Sequence, residues 1–434
     1  LTGSVFCVPG AGILFTVSKY RCMQMKLISF LGGQEGGAAL YTCGGSSCET
    51  LFVQEAICRL LGTVDNAVLF ATEGARRAAW EPVSAALSGC GVTTELVVIP
   101  NGETEDELWA IFRALEQYID EGEEIVFDIT HGFRSLLLVG FLSAAFLRTT
   151  GKADISRVFY GQYRDDGQPS PLLDLTPFLS ILDWTTSVHA FLRSMDAAGI
   201  NQLANRTAKE AYLSGRPDAP EKLSRFAQTL DGFAVATRMA RPVDALNLAS
   251  GIARDIDEVT GEMEVFTPPL VEVLDEIRMV GDLGIRRPEK DGGLTWAHVE
   301  KELELIGFMI ERGLLLQGVT FSREWMVNVM LLTRYGDCYP GWLDSDTRYE
   351  MSQTFGAAIL NLKGSPYDPT TFTDWYMHLP CEEQATHLWA ELSTIRNDFA
   401  HCGMREYSPR TTRMGQKAEE LYGHLCEFFV VVRG

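Results

Sequence analysis

The sequence predicts an α/β domain, Rossmann-like with a mostly parallel, doubly wound sheet, followed by an all-α half. Three observations predict it. Short aliphatic runs alternate with amphipathic helical stretches from residue 26 to about residue 160. The strand signal disappears after about Pro177. Long helical periods then follow one another toward the C-terminus. Alternating β and α at this spacing implies parallel strands joined by helical crossovers.

In order, residues 26–31 read as a strand running into Gly32-Gly33, 50–61 as a helix, 67–71 as a strand and 75–87 as a helix. The next strand, 96–99, is closed by Pro100-Asn101-Gly102. Leu108, Ile111, Phe112, Leu115 and Ile119 share one face of a helix over 105–121. A buried strand over 124–129, a helix over 133–148 and a strand over 155–160 complete the α/β part. Helical periods follow at 181–195, 221–239, 242–260, 269–280, 296–313, 320–335, 382–401 and 415–432. A polar, Gly-rich break at 283–293, with Arg286-Arg287-Pro288, reads as a linker or an exposed loop. The expected organisation is a domain over 25–180, a helical connector over 181–300 that is either separate or part of the last domain, and a helical domain over 301–434.

Residues 1–24 are expected to be an extension, disordered or artefactual, outside the fold. Their apolar stretch is broken by Pro9, Gly10 and Gly12 well short of a membrane span. Charge arrives only afterwards, at Lys19 and Arg21, whereas a secretory leader places it first.

The 434 residues carry a formal net charge of −21. Proteins that grip long nucleic acid through its backbone present a basic face. Any nucleic-acid contact should therefore be short and local, and the plain alternative is an acidic surface that maintains solubility. The ten cysteines form no CxxC pair, which reads as reduced thiols and a cytoplasmic location without a membrane.

Two segments carry candidate chemistry. The first is Asp128-Ile129-Thr130-His131-Gly132-Phe133-Arg134-Ser135, where an apolar strand ends in a tight turn and a helix begins. In doubly wound sheets ligands bind beyond the carboxyl ends of strands. A helix N-terminus there offers free N–H groups to an anion. Arg134 in the first helical turn opposes the dipole, at a cost of ~0.3–1 kcal/mol that a bound phosphate would reverse. The structural alternative makes Thr130 a cap and pairs Arg134 with Asp128, Glu123 or Glu124. The loop Gly32-Gly33-Gln34-Glu35-Gly36-Gly37 supports the functional reading. It is neither GxGxxG nor a Walker loop, so a redox dinucleotide or ATP hydrolysis is not indicated.

The second segment runs from Glu391 to Gly403 and contains Arg396, Asn397 and His401. Asn397 and His401 lie four apart and share a helix face, whereas Arg396 lies about 140° round from His401. The structural alternative pairs Arg396 with Glu391 or Asp398 and leaves His401 to cap the helix C-terminus. The remaining histidines, His189, His298, His378, His387 and His424, form no HExxH or paired ligand motif, so no metal site is expected. His298 and His387 are expected to pack against apolar neighbours.

The segment 128–135 resembles the DxTHG motif of the CRISPR-associated Rossmann-fold (CARF) sensors. Met25-Lys-Leu-Ile-Ser-Phe-Leu-Gly32 and Ile99-Pro-Asn-Gly-Glu103 resemble that family's first strand and third-strand turn. The resemblance spans about residues 25–180. It implies a domain that dimerises and holds a cyclic oligoadenylate, cyclic tetraadenylate being the first candidate, across the two-fold axis. Thr130, His131, Gly132, Arg134 and Ser135 would line the ligand, with Gly32 and Gly33 opposite. Asp128 would order the turn, because a carboxylate facing phosphates is repelled.

Arg396-Asn397 with His401 resembles the RxxxxH motif of the HEPN ribonucleases, and 308–324 resembles the first helix of that domain. This resemblance implies a metal-independent endoribonuclease acting on single-stranded RNA in CRISPR antiviral defence, with no cofactor beyond the cyclic activator. Two copies facing each other would complete the site in a homodimer or a higher oligomer. His401 would exchange protons with the ribose 2′-OH or the 5′-oxygen. Arg396 would hold the non-bridging oxygens as charge develops, and Asn397 would orient the phosphate or the imidazole. The products would be a 2′,3′-cyclic phosphate and a 5′-hydroxyl. Two alternatives stay open. The helical half could bind a partner or nucleic acid without catalysis, or the sensor could degrade its own activator through Thr130 and Arg134.

Overall fold

The computed structural model describes residues 25–32, 37–132, 134–164, 167–404 and 409–434. The expected extension over 1–24 lies outside them. The chain divides into two compact units, the first running to Leu182 and the second from Asp183.

The first unit runs β1 (Met25–Phe30), β2 (Ala39–Cys43), β3 (Ser46–Thr50), α1 (Val53–Leu61), β4 (Val64–Ala71), α2 (Glu73–Gly89), β5 (Thr93–Val98), α3 (Glu105–Gln117), β6 (Glu124–Asp128), α4 (Arg134–Thr149), β7 (Asp154–Gly161) and β8 (Ser170–Asp174). They form one mixed sheet in the order β3-β2-β8-β7-β6-β1-β4-β5. Its centre, β7-β6-β1-β4-β5, is parallel throughout. Strands buried on both faces read as continuous apolar runs, as residues 125–127 of β6 and 68–71 of β4 do, whereas the edge strand β5 leaves Thr93, Glu95 and Val98 exposed. Leu27, Leu69 and Val126 face Ile57 of α1 and Val83 of α2, whereas Ile28, Phe70 and Phe127 face Ile111 of α3 and Leu136 of α4. Helix α4 lies close on the sheet at Gly140, where a Cβ would come within 2.9 Å of the Phe30 ring. Its outward side leaves Leu138, Leu142 and Phe146 exposed, about one per turn.

The α/β expectation holds, with two additions. The hairpin β2–β3 turns on Gly44-Gly45, both at positive φ (56° and 85°), the conformation that a two-residue hairpin favours. Strand β8 runs antiparallel to β7 and continues the sheet to that hairpin. Neither carries enough aliphatic residues to announce itself as a core strand.

Helix α5 (Thr176–Ser194) buries Leu179 in the first unit's core and Trp184, Val188 and Phe191 in the second's. The second unit continues with α6 (Ala198–Leu213), α7 (Leu223–Arg238), α8 (Pro242–Phe266), α9 (Pro268–Val271), α10 (Leu274–Asp282), α11 (Trp296–Glu311), α12 (Leu315–Tyr335), α13 (Ser345–Leu362), α14 (Thr373–Met377), α15 (Glu382–Ala400) and α16 (Thr411–Arg433). One hydrophobic core runs through it from Trp184 to Phe428, so residues 183–300 share their core with 301–434. Helix α12 sits at its centre. Trp325 is fully buried there and donates its indole N–H to the Val299 carbonyl at 2.8 Å.

Several local expectations need correction. The break at 283–293 is not a linker but the expected exposed loop, within the second unit, with a 3-10 turn at Pro288–Lys290 and Arg286, Arg287, Glu289 and Lys290 exposed. Arg286 pairs with Asp291 at 2.7 Å and Arg287 pairs with Asp244. The stretch 308–324 is the end of one helix and the start of the next, because Gly313 at φ 74° turns the chain between α11 and α12. His298 is buried by polar bonds more than by apolar packing. Its ring contacts the Thr295 hydroxyl at 2.6 Å and the Arg286 carbonyl at 2.9 Å, completing a capping box on α11. His387 is exposed on α15, where the helix turns it away from its apolar neighbour Leu388.

Among the described residues no group of three or more His, Cys, Asp or Glu side chains could hold a metal. No helix there is long and apolar enough to cross a membrane.

Candidate functional sites

Strand order reverses at β1, which has β4-β5 on one side and β6-β7 on the other. The carboxyl ends of β1 and β6 therefore border the crevice where a doubly wound sheet binds its ligands. The register sets Ser29 beside Asp128 across those two strands. The Ser29 hydroxyl donates to Asp128 Oδ2 at 2.7 Å, and Gln54 Nε2 of α1 donates to Ser29 Oγ at 3.0 Å. On the other oxygen, Asp128 Oδ1 accepts from the Thr130 hydroxyl at 2.5 Å and from the Thr130 N–H at 3.0 Å. Thr130 Oγ1 in turn accepts from the Gly161 N–H at 2.7 Å, tying the turn to β7.

Asp128 is fully buried and orders the turn from beneath. Burial pushes its carboxyl above the ordinary carboxylate range, while nearby His131 and the bonds from Thr130 and Ser29 pull it down. Burial dominates because a charge removed from water loses more than these donors return. Tyr41 is buried nearby, its phenol raised first by burial and then by Asp128.

The expected ligand-lining residues fall around this turn. His131 is half-buried and packs on Gly32, where a Cβ would meet the imidazole Nδ1 at 3.0 Å. Gly132 is exposed at φ 122°, in a region that L side chains rarely adopt. Ser135 is half-buried in the first turn of α4, which Arg134 opens. Gly33 and the Arg134 side chain lie outside the described residues and atoms. The structure thus brings Gly32 and His131 together at the carboxyl ends of β1 and β6, with Thr130 and Gly132 in the same turn and Ser135 in the helix that follows it.

Ser29, Gln54 and Tyr41 escaped the sequence reading. A serine inside the apolar run Met25–Phe30 was the available signal, since a polar side chain buried in a central strand needs a partner. Glu107 also escaped it. Its carboxylate accepts from the Gly102 and Glu103 N–H groups at 2.9 and 2.8 Å and fixes the turn beyond β5.

The second candidate site lies at the C-terminal end of α15. Leu392, Ile395 and Asp398 face inward, while Asn397 and His401 are exposed and Arg396 is half-buried. Arg396 donates from Nη1 to Asn397 Oδ1 at 3.2 Å. His401 terminates the helix, its N–H bonded to the Asn397 carbonyl at 3.0 Å. Cys402 and Gly403 follow at positive φ, and the Gly403 N–H returns to the Asp398 carbonyl at 2.9 Å. Glu391 does not hold Arg396. Its Oε2 lies 2.9 Å from Nδ1 of His424 on α16.

No protein-family model matches the chain. Over 140 residues it is 28% identical to the CRISPR-associated protein MJ1674 of Methanocaldococcus jannaschii. The match covers 31% of this chain and 21% of that protein.

Proposed function

We propose that the chain acts in CRISPR-linked defence as a metal-independent endoribonuclease of single-stranded RNA, switched on by a cyclic oligoadenylate. The similarity to a CRISPR-associated protein supports the setting. The observation that carries the sensor reading is the His131 ring seated on Gly32 at the β1/β6 crevice, held from beneath by buried Asp128. A crevice floored by glycine lets a bulky ligand approach backbone, and the start of α4 favours its phosphates. The seven expected residues Gly32, Gly33, Thr130, His131, Gly132, Arg134 and Ser135 then form the ligand set.

For the nuclease reading, Asn397 and His401 offer water-facing polar groups on one side of α15, with Arg396 tethered beside them. His401 takes the proton from the ribose 2′-OH or supplies one to the departing 5′-oxygen. Arg396 stabilises the charge that develops on the non-bridging oxygens, and Asn397 positions it. The nucleophile belongs to the substrate, so DNA is inert and no metal is required.

A homodimer is the working unit. One subunit sets Arg396 and His401 at different azimuths, and a second copy supplies the complementary half. The exposed α4 stripe Leu138, Leu142 and Phe146 supports self-association, because an uncharged face lets two strongly acidic chains meet. The ligand shifts the equilibrium only to the extent that it binds the active arrangement more tightly.

The chemistry is tested with matched RNA and DNA oligonucleotides in EDTA. RNA cut to 2′,3′-cyclic phosphate and 5′-hydroxyl ends, with DNA intact, is the expected result. Cleavage that requires a divalent cation, or that spares neither polymer, contradicts it.

A further inference from the structure

An open groove of about 320 Å³ lies between α15 and α16, lined by Ala390, Glu391, Thr394, Ile395, Lys417 and Glu420. Its place on α15 is informative. Ala390, Thr394, Asn397 and His401 recur every three or four residues and so share one helix face. The groove occupies one end of this stripe and the proposed catalytic pair the other. Thr394 lies about 4.5 Å along the axis from Asn397 and about 10 Å from the His401 end. A nucleotide next to the scissile phosphate is within reach of the groove.

The lining decides which part of that nucleotide fits. Two carboxylates, Glu391 and Glu420, flank the groove and repel a phosphate. They are acceptors only, and so call for a neutral group rich in N–H donors. Lys417 supplies a donor for a ring nitrogen or carbonyl, and the buried Ile395 offers an apolar floor for a flat ring. Glu391 is held in place by His424, and the Thr394 hydroxyl is tied back to the Ala390 carbonyl at 2.9 Å. A donor-rich, acceptor-bearing, planar and uncharged partner is a nucleobase with an exocyclic amine. Uracil fits badly, since it has one ring N–H set between two carbonyls that would face the carboxylates.

We propose that the α15–α16 groove is a base subsite that takes adenine, cytosine or guanine, and rejects uracil, at a nucleotide flanking the cut. This rests on the ribonuclease reading of Arg396, Asn397 and His401. It gives a chain of net charge −21 a way to hold RNA through a base as well as through its backbone. A carboxylate accepting from a base amine discriminates by about tenfold at the open, solvent-exposed end of the known range.

The test is sequencing of the ends released from a randomised single-stranded RNA by the full chain with cyclic tetraadenylate or hexaadenylate. It is run on wild type, Glu391→Gln, Glu420→Gln and Lys417→Met. Wild type should show uracil depleted about tenfold at one flanking position. Each glutamine variant should flatten that position while retaining its sedimentation and melting behaviour, and Glu420→Gln serves if Glu391→Gln disturbs His424. A wild-type profile blind to uracil, or one unchanged in all three variants, overturns the subsite and leaves the ribonuclease reading standing. Variants that sediment as monomers assign the groove to the subunit interface and also overturn it. Absence of any RNA cleavage by wild type removes the ribonuclease reading and the subsite with it.

Discussion

The two candidate sites are built in opposite ways. The turn after β6 hangs from a buried carboxylate through three bonds from Ser29 and Thr130, and a fourth, from the Gly161 N–H to the Thr130 hydroxyl, ties it to β7. The end of α15 presents Asn397 and His401 to water, and a side-chain bond joins Arg396 to Asn397. The first is preorganised by the core beneath it. The second lies open to water at a helix end. That contrast suits a molecule in which one site is always ready to bind and the other acts only when assembled.

Four substitutions would break or sharpen this contrast. The largest effect is expected at the exposed site. His401→Ala should lower RNA cleavage by about 10²–10⁴-fold, the usual worth of a positioned acid or base. Thermal stability and cyclic-ligand affinity, read by melting and by calorimetry, should stay as in wild type. Loss of the fold in this variant would make His401 a structural cap.

At the buried site the order reverses, and stability should suffer first. Asp128→Ala strips the Ser29 hydroxyl and the Thr130 N–H of their acceptor, at about 1–3 kcal/mol for each buried group left unpaired. A lower melting temperature together with lost ligand binding is expected. Unchanged stability would mean that the carboxylate does not hold the turn.

Gly32→Val is subtler. The new side chain must displace the His131 ring, so ligand affinity should fall about tenfold while the melting temperature changes little, isolating the crevice from the core. An unaltered affinity would place the ligand elsewhere.

The effect most remote from either site concerns Glu302, buried in the second unit. Asn328 Nδ2 donates to both of its oxygens, at 3.0 and 2.9 Å, while Arg348 donates to Asn328 Oδ1 at 2.7 Å. Burial lifts the carboxyl to about 7 against the pull of Asn328 and Arg348. The folded state then holds this proton more tightly than the unfolded chain does. The stabilisation is full below the ordinary carboxylate range and is lost as pH rises through about 7. Melting temperature should decline between pH 5 and 8, from a contribution on the order of 3 kcal/mol. Glu302→Gln should flatten that slope. Its absolute stability is a poorer readout, because the new amide lacks an acceptor. A wild-type slope retained in the variant would assign it to other groups.

The difference between the sites also governs how much the sequence reveals. The β6 turn was legible because backbone geometry writes itself into sequence: an aliphatic run, a turn with glycine and a second glycine after β1 suffice to point to a strand-end crevice. Its foundation was less legible. Ser29 meets Asp128 only through strand register, across 99 positions of chain, and Gln54 meets Ser29 only through packing, across 25, and spacing along the sequence encodes neither. The α15 site was readable as a helix face, since Asn397 and His401 lie four apart. Its chemistry had to come from family resemblance, because exposed side chains leave no trace in hydrophobic periodicity. The groove beside it was invisible for a different reason. Glu391 and His424 lie 33 residues apart and meet only when α15 packs on α16.

The central claim is that the preorganised site commands the exposed one. It is tested most directly by the initial rate of cleavage of a fluorescent single-stranded RNA in EDTA, with and without cyclic tetraadenylate or cyclic hexaadenylate, for wild type and His401→Ala. The account predicts cleavage by wild type that depends on one of the two rings, and none by the variant. Cleavage that proceeds equally without any ring would sever the two sites. No cleavage at all, with the ring bound, would leave a sensor whose helical half binds a partner and has no catalytic role.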